Sequence, residues 1–394
     1  MKITWVTRSF LDYRIPVYQE LNKLCGRNLT VIYYKDIPPE RTQKKIKEVL
    51  GDKAIAREKE FRIGNKPKID NVSKSNTTFR IPISPGLIKQ VLDSKPDVLI
   101  SDGFMQWTYA ALAVRALKRI PHVMCYERTA HTERNAGRLR IWYRKIVSRW
   151  IDAIDCNGIL CGEYVRSLGF DSKRLTFGHM VADISGMSRT IQNIANEDIV
   201  KVKKELKIPP KGLMILFVGQ LIPIKGVDQL LTAWKQFKSH CKENCTLVYV
   251  GYGRLEQPLR DRIVNEKIQD VILIGGIDYD SIAQYYKAAD CFILPTVEDN
   301  WSLVVPEAMA CGLPVATTIY NGCHPELITK ENGWVFDTYN EQSIIDTLQN
   351  IVNNKERLKE MGEVSKRIVS KHTAERAAQS IMAAIDIAQK HCKK

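Results

Sequence analysis

The sequence predicts an α/β protein with two domains, each built on a parallel sheet, and two observations support this fold class. The chain has 394 residues, which is enough for two domains of about 150–200 residues each. Short apolar runs alternate with helical patterns, as in the strand Lys2 to Thr7, the helix Ile15 to Leu24 and the strand Leu29 to Tyr34. A strand–helix–strand order of this kind is typical of a parallel α/β sheet.

The composition is that of an ordinary globular protein with an excess of positive charge. Hydrophobic residues make up 44% of the chain and charged residues 26%, and no run approaches the ~20 apolar residues of a transmembrane helix. The first residues, MKITWVTRSF, are expected to form a strand rather than a signal peptide. A net charge of +15 suggests an anionic partner. Because no zinc-finger or RNA-binding pattern accompanies the charge, we expect anionic lipid rather than nucleic acid.

The ten cysteines give no indication of a metal site or a disulfide framework. No CxxC pair occurs, and the closest pairs, Cys156/Cys161 and Cys241/Cys245, lack histidines at zinc-ligand spacing. We therefore expect reduced thiols in a cytoplasmic protein.

Polar residues follow two predicted strands in the first half of the chain. The strand 97–100 ends at Ser101-Asp102-Gly103, and the strand 121–126 ends at Glu127, with His131 four residues further on. Ligands bind at the carboxyl ends of strands in open α/β sheets, so these residues are expected to face one cleft. Glu127 and His131 are candidate catalytic residues, because a carboxylate or an imidazole can orient an acceptor hydroxyl. A helix-capping glutamate and a solvated histidine are the alternatives.

The segment 134–150, RNAGRLRIWYRKIVSRW, contains six basic residues and no acid. At helical spacing its apolar residues form one stripe, and its basic residues lie along the flank. The stripe is Leu139, Trp142, Tyr143, Ile146 and Trp150, and the flank is Arg134, Arg138, Lys145 and Arg149. This composition is typical of an interfacial helix on an anionic membrane, although an ordinary helix could pack the same stripe into the first domain. The charged segment 36–68 is predicted to be an exposed loop and helix that faces either lipid phosphate or solvent.

The second domain is predicted to begin after a connection around residues 180–200. A buried strand at 214–218 runs into the loop Gly219-Gln220-Leu221-Ile222-Pro223-Ile224-Lys225-Gly226, and a helix follows from Val227 to His240. Further strands end at Gly251 and before Ile277. The last strand of the first domain is placed at 153–160.

The stretch 293–312, ILPTVEDNWSLVVPEAMACG, carries the strongest signal in the chain. A short apolar strand is followed by the adjacent acids Glu298 and Asp299, and Ser302 is predicted to cap a helix that Gly312 closes. A helix N-terminus attracts phosphate. Ser302 and Glu307 are separated by roughly 7.5 Å along a helix axis, so a pyrophosphate fits between carboxylates at this spacing, as in a site for a nucleotide sugar.

This stretch resembles the signature of glycosyltransferase family 4, in which two acids separated by seven residues precede EAMACGLPV. Residues 307–315 match the second half of the signature almost letter for letter. The spacing places Asp299 in the position of the first acid, with Glu298 adjacent, and either could contact the sugar. The loop 219–226 resembles the family's glycine–arginine and lysine–glycine loop, with Lys225 at the lysine position and Gln220 at the arginine position.

The resemblance implies the GT-B fold, α/β with two Rossmann-like doubly wound parallel-sheet domains that face each other across a cleft. It implies an acceptor domain at 1–185, a donor domain at 200–370 and a C-terminal helix at 371–394 that crosses back to the first domain. Catalytic roles are implied for Lys225, Glu298 and Asp299, in addition to Glu127 and His131. The implied donor-binding residues are Gly219, Gln220, Lys225, Gly251, Ile277, Asn300, Trp301, Ser302, Leu303, Val304 and Glu307.

The implied activity is that of a retaining glycosyltransferase with no metal cofactor. It would move a hexose or N-acetylhexosamine from a nucleotide sugar, with UDP preferred to GDP, to a hydroxyl of a glycan acceptor. A lipid-linked acceptor in polysaccharide or lipopolysaccharide biosynthesis would place the protein at the cytoplasmic face of the cell membrane. The alternatives are a nucleotide-sugar epimerase of the same fold and a non-catalytic basic protein that binds membrane or nucleic acid.

Overall fold

A computed structural model describes residues 1–64 and 80–392, and the chain divides into two compact units. The first unit contains residues 1–181 and the C-terminal segment from His372, and the second contains Ala182–Lys371.

The first unit is built on a parallel sheet with an additional hairpin. Its strands are β1 (Ile3–Val6), β2 (Leu29–Tyr34), β3 (Ala54–Arg57), β4 (Phe61–Gly64), β5 (Arg80–Ile83), β6 (Val98–Asp102), β7 (His122–Tyr126), β8 (Ala153–Cys156) and β9 (Leu175–Phe177). Seven of them form one sheet in the order β3-β2-β1-β6-β7-β8-β9, with parallel neighbours throughout. Strands β4 and β5 pair antiparallel.

Helices cover this sheet on both faces. They are α1 (Arg14–Leu24), α2 (Glu40–Leu50), α3 (Leu87–Asp93), α4 (Thr108–Lys118), α5 (Arg138–Val147) and α6 (Ile159–Ser167), together with the C-terminal helix, which is numbered α16 (Ala374–Cys392) because it comes last in the chain. Helix α16 contributes residues at helical spacing to the same core as Trp5 and Tyr18. These residues are Ala377, Ala378, Ile381, Ala384, Ile385 and Ala388.

Two predictions for this unit are corrected by the structure. The strand predicted at 153–160 ends at Cys156, because helix α6 begins at Ile159 after Gly158, and β9 follows it as the edge strand of the sheet. The segment 36–68 was predicted as loop and helix, but it also contains β3 and β4. Residues 65–68 of that prediction lie outside the described residues.

The second unit contains a six-stranded parallel sheet and nine of the described helices. Its strands are β10 (Leu213–Val218), β11 (Cys245–Val250), β12 (Val271–Gly275), β13 (Cys291–Leu294), β14 (Val315–Thr318) and β15 (Gly333–Phe336), in the order β12-β11-β10-β13-β14-β15. Its helices are α7 (Ile184–Gln192), α8 (Asn196–Glu205), α9 (Val227–His240), α10 (Glu256–Asn265), α11 (Tyr279–Ala288), α12 (Val304–Ala310), α13 (His324–Leu327), α14 (Glu341–Asn353) and α15 (Leu358–Val369).

The strand order of this sheet determines where its functional loops lie. Strand β10 pairs with β11 on one side and with β13 on the other. The strand order therefore reverses at the β10–β13 pair. Ligands of open α/β sheets bind outside the carboxyl ends of strands at such a switch point. The loop 219–226 follows β10 and the loop 295–303 follows β13, so both motifs found in the sequence lie at this edge. Helix α9 spans Val227–His240, which confirms its predicted bounds.

Candidate functional site

The loops that follow β10 and β13 are joined by direct hydrogen bonds. The Thr296 hydroxyl and the Val297 amide both donate to the carbonyl oxygen of Ile224, at 3.0 and 2.9 Å. Gly226, in the left-handed conformation with φ of +67°, packs against the same loop, since a Cβ at this position would lie 1.9 Å from the carbonyl oxygen of Pro295. Only glycine fits this approach without displacement, so the two loops are held backbone to backbone.

An ion pair lies at the junction of these loops. The Lys225 ammonium is 2.5 Å from Oδ2 of Asp299, and both side chains are largely buried. The Ser302 hydroxyl also donates to Oδ2, at 2.6 Å, and the Trp301 amide donates to Oδ1, at 3.2 Å. Burial raises the pKa of Asp299, but the Lys225 charge and these hydrogen bonds outweigh it and hold the pKa below its usual value. Asp299 is therefore ionised and fixes the Lys225 ammonium in place.

The Ser302 hydroxyl does not have the role that the sequence predicted. Helix α12 begins at Val304 with Leu303 in the N-cap position and no side-chain cap, so the prediction that Ser302 caps this helix is wrong. The physical reason is that the Ser302 hydroxyl donates to Asp299 instead. The Ser302 amide donates to Oδ1 of Asn321, at 3.4 Å.

Asn321 holds the acidic loop 298–302 in place. The sequence did not predict this role. Its side chain is fully buried and donates to the Thr317 hydroxyl at 3.0 Å. The neighbouring backbone pairs with Asp299, whose amide donates to Tyr320 and whose carbonyl accepts from Gly322, at 3.2 and 3.0 Å. The signal in the sequence was an Asn-Gly pair soon after a buried strand, which is typical of a tight turn.

The other predicted donor-site residues lie around this ion pair or along the neighbouring strand ends. Glu298 and Trp301 are buried, whereas Gln220 is exposed. Glu307 lies in the first turn of α12 and accepts a hydrogen bond of 3.3 Å from the hydroxyl of Tyr286. Asn300, Leu303 and Val304 are half-buried.

Glycines allow the loops after β10, β11 and β12 to approach each other closely. A Cβ on Gly251 would lie 1.8 Å from the carbonyl oxygen of Gly219, so these two predicted donor-site residues are in backbone contact. An open groove of about 730 Å³ lies beside them and includes the predicted residue Ile277. Its lining residues are Tyr252, Gly276, Ile277, Asp278, Ser281, Gln284 and Tyr285.

Glu127 and His131 lie in the first unit, so the predicted residues fall into two sets. Glu127 directly follows β7, and its carboxylate is 3.1 Å from the buried guanidinium of Arg14. Arg14 also contacts Asp102 at the end of β6, at 3.3 Å. The carbonyl oxygen of His131 accepts a hydrogen bond of 2.6 Å from the Arg134 side chain.

Three properties of the described part of the chain (1–64 and 80–392) bear on metal and membrane binding. No group of three or more histidine, cysteine, aspartate or glutamate residues there could hold a metal ion. The ten cysteines are free thiols. None of the described helices combines the length and the apolar character needed to cross a bilayer.

Two parallel-sheet α/β units, with motif loops at the switch point of the second, define the GT-B fold. The chain is similar over its whole length to the structure of HepE from Anabaena in complex with UDP, with a TM-score of 0.75 and 16% identity. That alignment covers 98% of this chain and 100% of the other. HepE has also been solved with UDP-glucose.

The match to a protein-family model lies within the second unit. Residues 198–368 match the model of the family described as glycosyl transferases group 1. An uncharacterized glycosyltransferase of Methanocaldococcus jannaschii is 26% identical over 42% of this chain and 46% of its own length. The lipopolysaccharide 1,2-N-acetylglucosaminetransferase of Salmonella typhimurium is 27% identical over 45% of this chain and 49% of its own length. The chain thus spans about half the length of the curated relatives it matches.

Proposed function

We propose that this chain is a retaining glycosyltransferase of family 4 that transfers a hexose or N-acetylhexosamine from a UDP-sugar to a hydroxyl of a glycan acceptor. The observation that carries the proposal is the Lys225–Asp299 ion pair, which fixes a cation at the β10–β13 strand ends. This pair lies within the segment that matches glycosyl transferases group 1. HepE, which has the same fold, binds UDP.

In this proposal Lys225 stabilises the departing nucleoside diphosphate. An ammonium group that is already oriented in a partly buried site stabilises developing negative charge more strongly than one in water. This role requires no metal ion, because the cation comes from the protein. The amides of Leu303 and Val304 are proposed as further donors to the diphosphate, and Glu307 as the group that binds the ribose.

The contacts of Asp299 support a positioning role for this residue. Its carboxylate accepts hydrogen bonds from Lys225, Ser302 and Trp301. We therefore propose that Asp299 positions Lys225, and that the sugar is contacted by one of the two adjacent acids, Glu298 or Asp299. The exposed ring of Tyr252, beside the groove at Ile277, is suited to contact the base.

The acceptor is proposed to be lipid-linked, because the surface of α5 is suited to an anionic membrane. Of the predicted apolar stripe, Leu139, Trp142 and Trp150 are exposed, with relative accessibilities of 78%, 62% and 52%. Basic residues that are also exposed accompany them, namely Arg138, Lys145 and Arg149. Exposed tryptophan beside basic side chains is typical of interfacial binding. The similarity to a lipopolysaccharide glycosyltransferase supports the same class of acceptor.

Calorimetric titration tests the donor site. UDP, GDP and their glucose conjugates are titrated into the wild type, Lys225→Gln and Glu307→Gln. We expect uridine nucleotides to bind and each substitution to weaken binding by about tenfold or more, since loss of a charged hydrogen-bond partner costs roughly 1.5–3 kcal/mol. Lys235→Gln is the matched control, because Lys235 is a half-exposed lysine of the same unit that pairs with Glu266. Failure of the wild type to bind any of the nucleotides would refute the proposed donor site.

Vesicle flotation tests the membrane contact separately. We expect the wild type to float with vesicles of phosphatidylglycerol and phosphatidylethanolamine but not with phosphatidylcholine alone. The double variant Trp142→Gln/Trp150→Gln should lose this association, whereas Val264→Gln, which removes an apolar side chain with 73% accessibility in the second unit, should retain it. A wild type that stays unbound on anionic vesicles contradicts the membrane assignment.

A further inference from the structure

Two tyrosine rings meet at the carboxyl ends of β14 and β15, and the proposed donor site uses neither side chain. Tyr320 follows β14 and Tyr339 follows β15. The two rings pack edge to face, with centroids 5.2 Å apart and planes at 66°. Tyr339 keeps 60% of its surface accessible, and Ile319, next to Tyr320, keeps 45%. Tyr320 and Tyr339 are termed the aromatic platform.

One carboxylate holds both tyrosines in position. Oδ1 of Asp337 accepts a hydrogen bond from the Tyr320 hydroxyl, at 2.8 Å, and another from the Tyr339 amide, at 2.9 Å. The amide of Asp337 donates in turn to the hydroxyl of Ser343 in α14, at 3.1 Å. Because these contacts already orient the platform, little conformational entropy is lost when a ligand packs against it.

The backbone beside the platform is bonded to the loop that follows β13. The carbonyl oxygen of Tyr320 accepts a hydrogen bond of 3.2 Å from the amide of Asp299. The hydroxyl of Thr338, the residue before Tyr339, donates to the carbonyl oxygen of Pro295 at 2.9 Å. Both halves of the platform are therefore joined directly to the loop that carries the acids of the donor site.

The strand order gives the direction in which the platform extends this site. The groove at Ile277, proposed for the base, follows β12, and the Lys225–Asp299 pair follows β10 and β13. The platform follows β14 and β15, the next two strands on that side of the sheet. Neighbouring strands lie about 4.8 Å apart, so β15 is roughly 10 Å beyond β13. A nucleotide sugar that lies along this edge, with its sugar at the acids after β13, would leave the platform for the next group.

The platform combines the groups that recognise the face of a sugar ring. A pyranose ring presents C–H groups on one face, and these pack on an aromatic ring because apolar surface is buried against its electron-rich face. The carboxylate of Asp337, half-buried beside the two rings, is suited to accept hydrogen bonds from sugar hydroxyls. Its negative charge disfavours an anionic ligand at the same place.

We propose that the aromatic platform binds an uncharged pyranose ring of the acceptor glycan, with the C–H face of the sugar against Tyr339 and its hydroxyls toward Asp337. This inference rests on the proposed transferase function for its role in the reaction. It assigns part of the acceptor's contacts to the second unit. The acceptor is favoured over the donor's own sugar, because that sugar is assigned to the acids after β13.

Ligand-observed NMR on the full chain tests the platform. Saturation transfer is measured with methyl β-D-glucopyranoside and methyl β-D-galactopyranoside, each with and without UDP. D-Sorbitol is the control ligand, since it has the hydroxyl groups of a hexose but no rigid C–H face. We expect one of the glycosides to bind about tenfold or more tightly than sorbitol, with the strongest saturation at the axial protons of one face. Equal binding of sorbitol and both glycosides overturns the proposal.

Substitutions of the exposed ring locate this binding. Tyr339→Ala should weaken binding of the preferred glycoside about three- to tenfold, whereas Tyr339→Phe, which keeps the ring, should stay within about twofold of the wild type. Val264→Ala shortens another exposed side chain of the second unit and is the control that should bind as the wild type does. Unchanged binding in Tyr339→Ala, or an equal loss in Tyr339→Phe, contradicts stacking on this ring.

Titration of UDP and UDP-glucose into the same variants separates the platform from the donor site. Tyr339→Ala should bind both nucleotides as the wild type does. A weaker affinity for UDP-glucose at an unchanged affinity for UDP would place the donor's sugar on the platform and overturn the assignment to the acceptor. Glycoside binding without any binding of UDP would support the platform and refute the proposed donor site. Binding of UDP without any preference for a glycoside over sorbitol would do the opposite.

Discussion

Replacing Gly226 by alanine should separate the two loops that form the donor site. Gly226 adopts φ of 67° and ψ of 19° and lies next to Lys225. An added Cβ would lie 1.9 Å from the carbonyl oxygen of Pro295, whereas real Cβ contacts stay beyond 3.0 Å. The obstacle is backbone rather than a flexible side chain, so the two loops must move apart by about 1 Å or more.

The size of this movement determines the expected effect. The left-handed conformation costs a non-glycine residue about 1–2 kcal/mol, and forced overpacking adds roughly 1–3 kcal/mol. A displacement of about 1 Å also lengthens the contact between Lys225 and Asp299 from 2.5 Å to a distance at which the hydrogen bond is largely lost. We therefore expect a loss of roughly 2–5 kcal/mol in unfolding free energy and a decrease of at least tenfold in UDP affinity.

Denaturant unfolding and UDP calorimetry measure the two effects, and Gly86→Ala supplies a matched control. Gly86 has φ of 76° and ψ of 1°, but the nearest atom to its added Cβ is an Arg57 side-chain nitrogen at 3.7 Å. This variant should show the conformational cost alone and keep the affinity for UDP. If Gly226→Ala bound UDP as tightly as Gly86→Ala does, the contact with Pro295 would not position Lys225 and the reasoning would fail.

Three further perturbations have defined outcomes. Burial lowers the pKa of His122 from the usual 6.5 to about 4. The free energy of unfolding should therefore fall by about 3 kcal/mol as the pH drops from 6.5 towards 4. Thermal unfolding across this range should show a smaller decline in His122→Gln. Asp299→Asn removes the carboxylate charge that fixes the Lys225 ammonium, so calorimetry should show UDP affinity falling about three- to tenfold, in the same direction as in Gly226→Ala. Asn321→Ala leaves buried partners such as the Ser302 amide unsatisfied, so urea unfolding should show a loss of about 2–3 kcal/mol, together with weaker UDP binding.

Much of the fold was predictable because it depends on local patterns. Short apolar strands alternate with amphipathic helices, and the helix Val227–His240 has the bounds that its periodicity predicts. Strand β9 was missed, since only Leu175–Phe177 pair with β8 and three residues give no pattern of alternation. The predicted strand end at Leu160 was wrong because the chain turns at Asn157 and Gly158, and the apolar residues Ile159 and Leu160 begin α6 instead of continuing β8.

The site was predictable in its residue types but not in its pairings. Lys225 and Asp299 are 74 residues apart in sequence, and each was assigned a separate task because no local pattern shows that their side chains meet. The same holds for Ser302, whose position before a helix suggested a cap, although the nearby carboxylate of Asp299 competes for its hydroxyl. Such pairings depend on which strands are neighbours in the sheet.

The two sheets place their charged residues by the same rule. In the second unit the chain leaves β10 and β13, and the loops that follow bring Lys225 to Asp299. In the first unit it leaves β6 and β7, and the strand ends bring Asp102 and Glu127 to Arg14. The carboxyl ends of parallel strands lie on one edge of the sheet, so residues distant in sequence meet there. Each largely buried charge at this edge needs a partner of opposite charge. In each unit one largely buried cation, Lys225 or Arg14, pairs with these carboxylates, and this is why substitution of that cation should lower the free energy of unfolding.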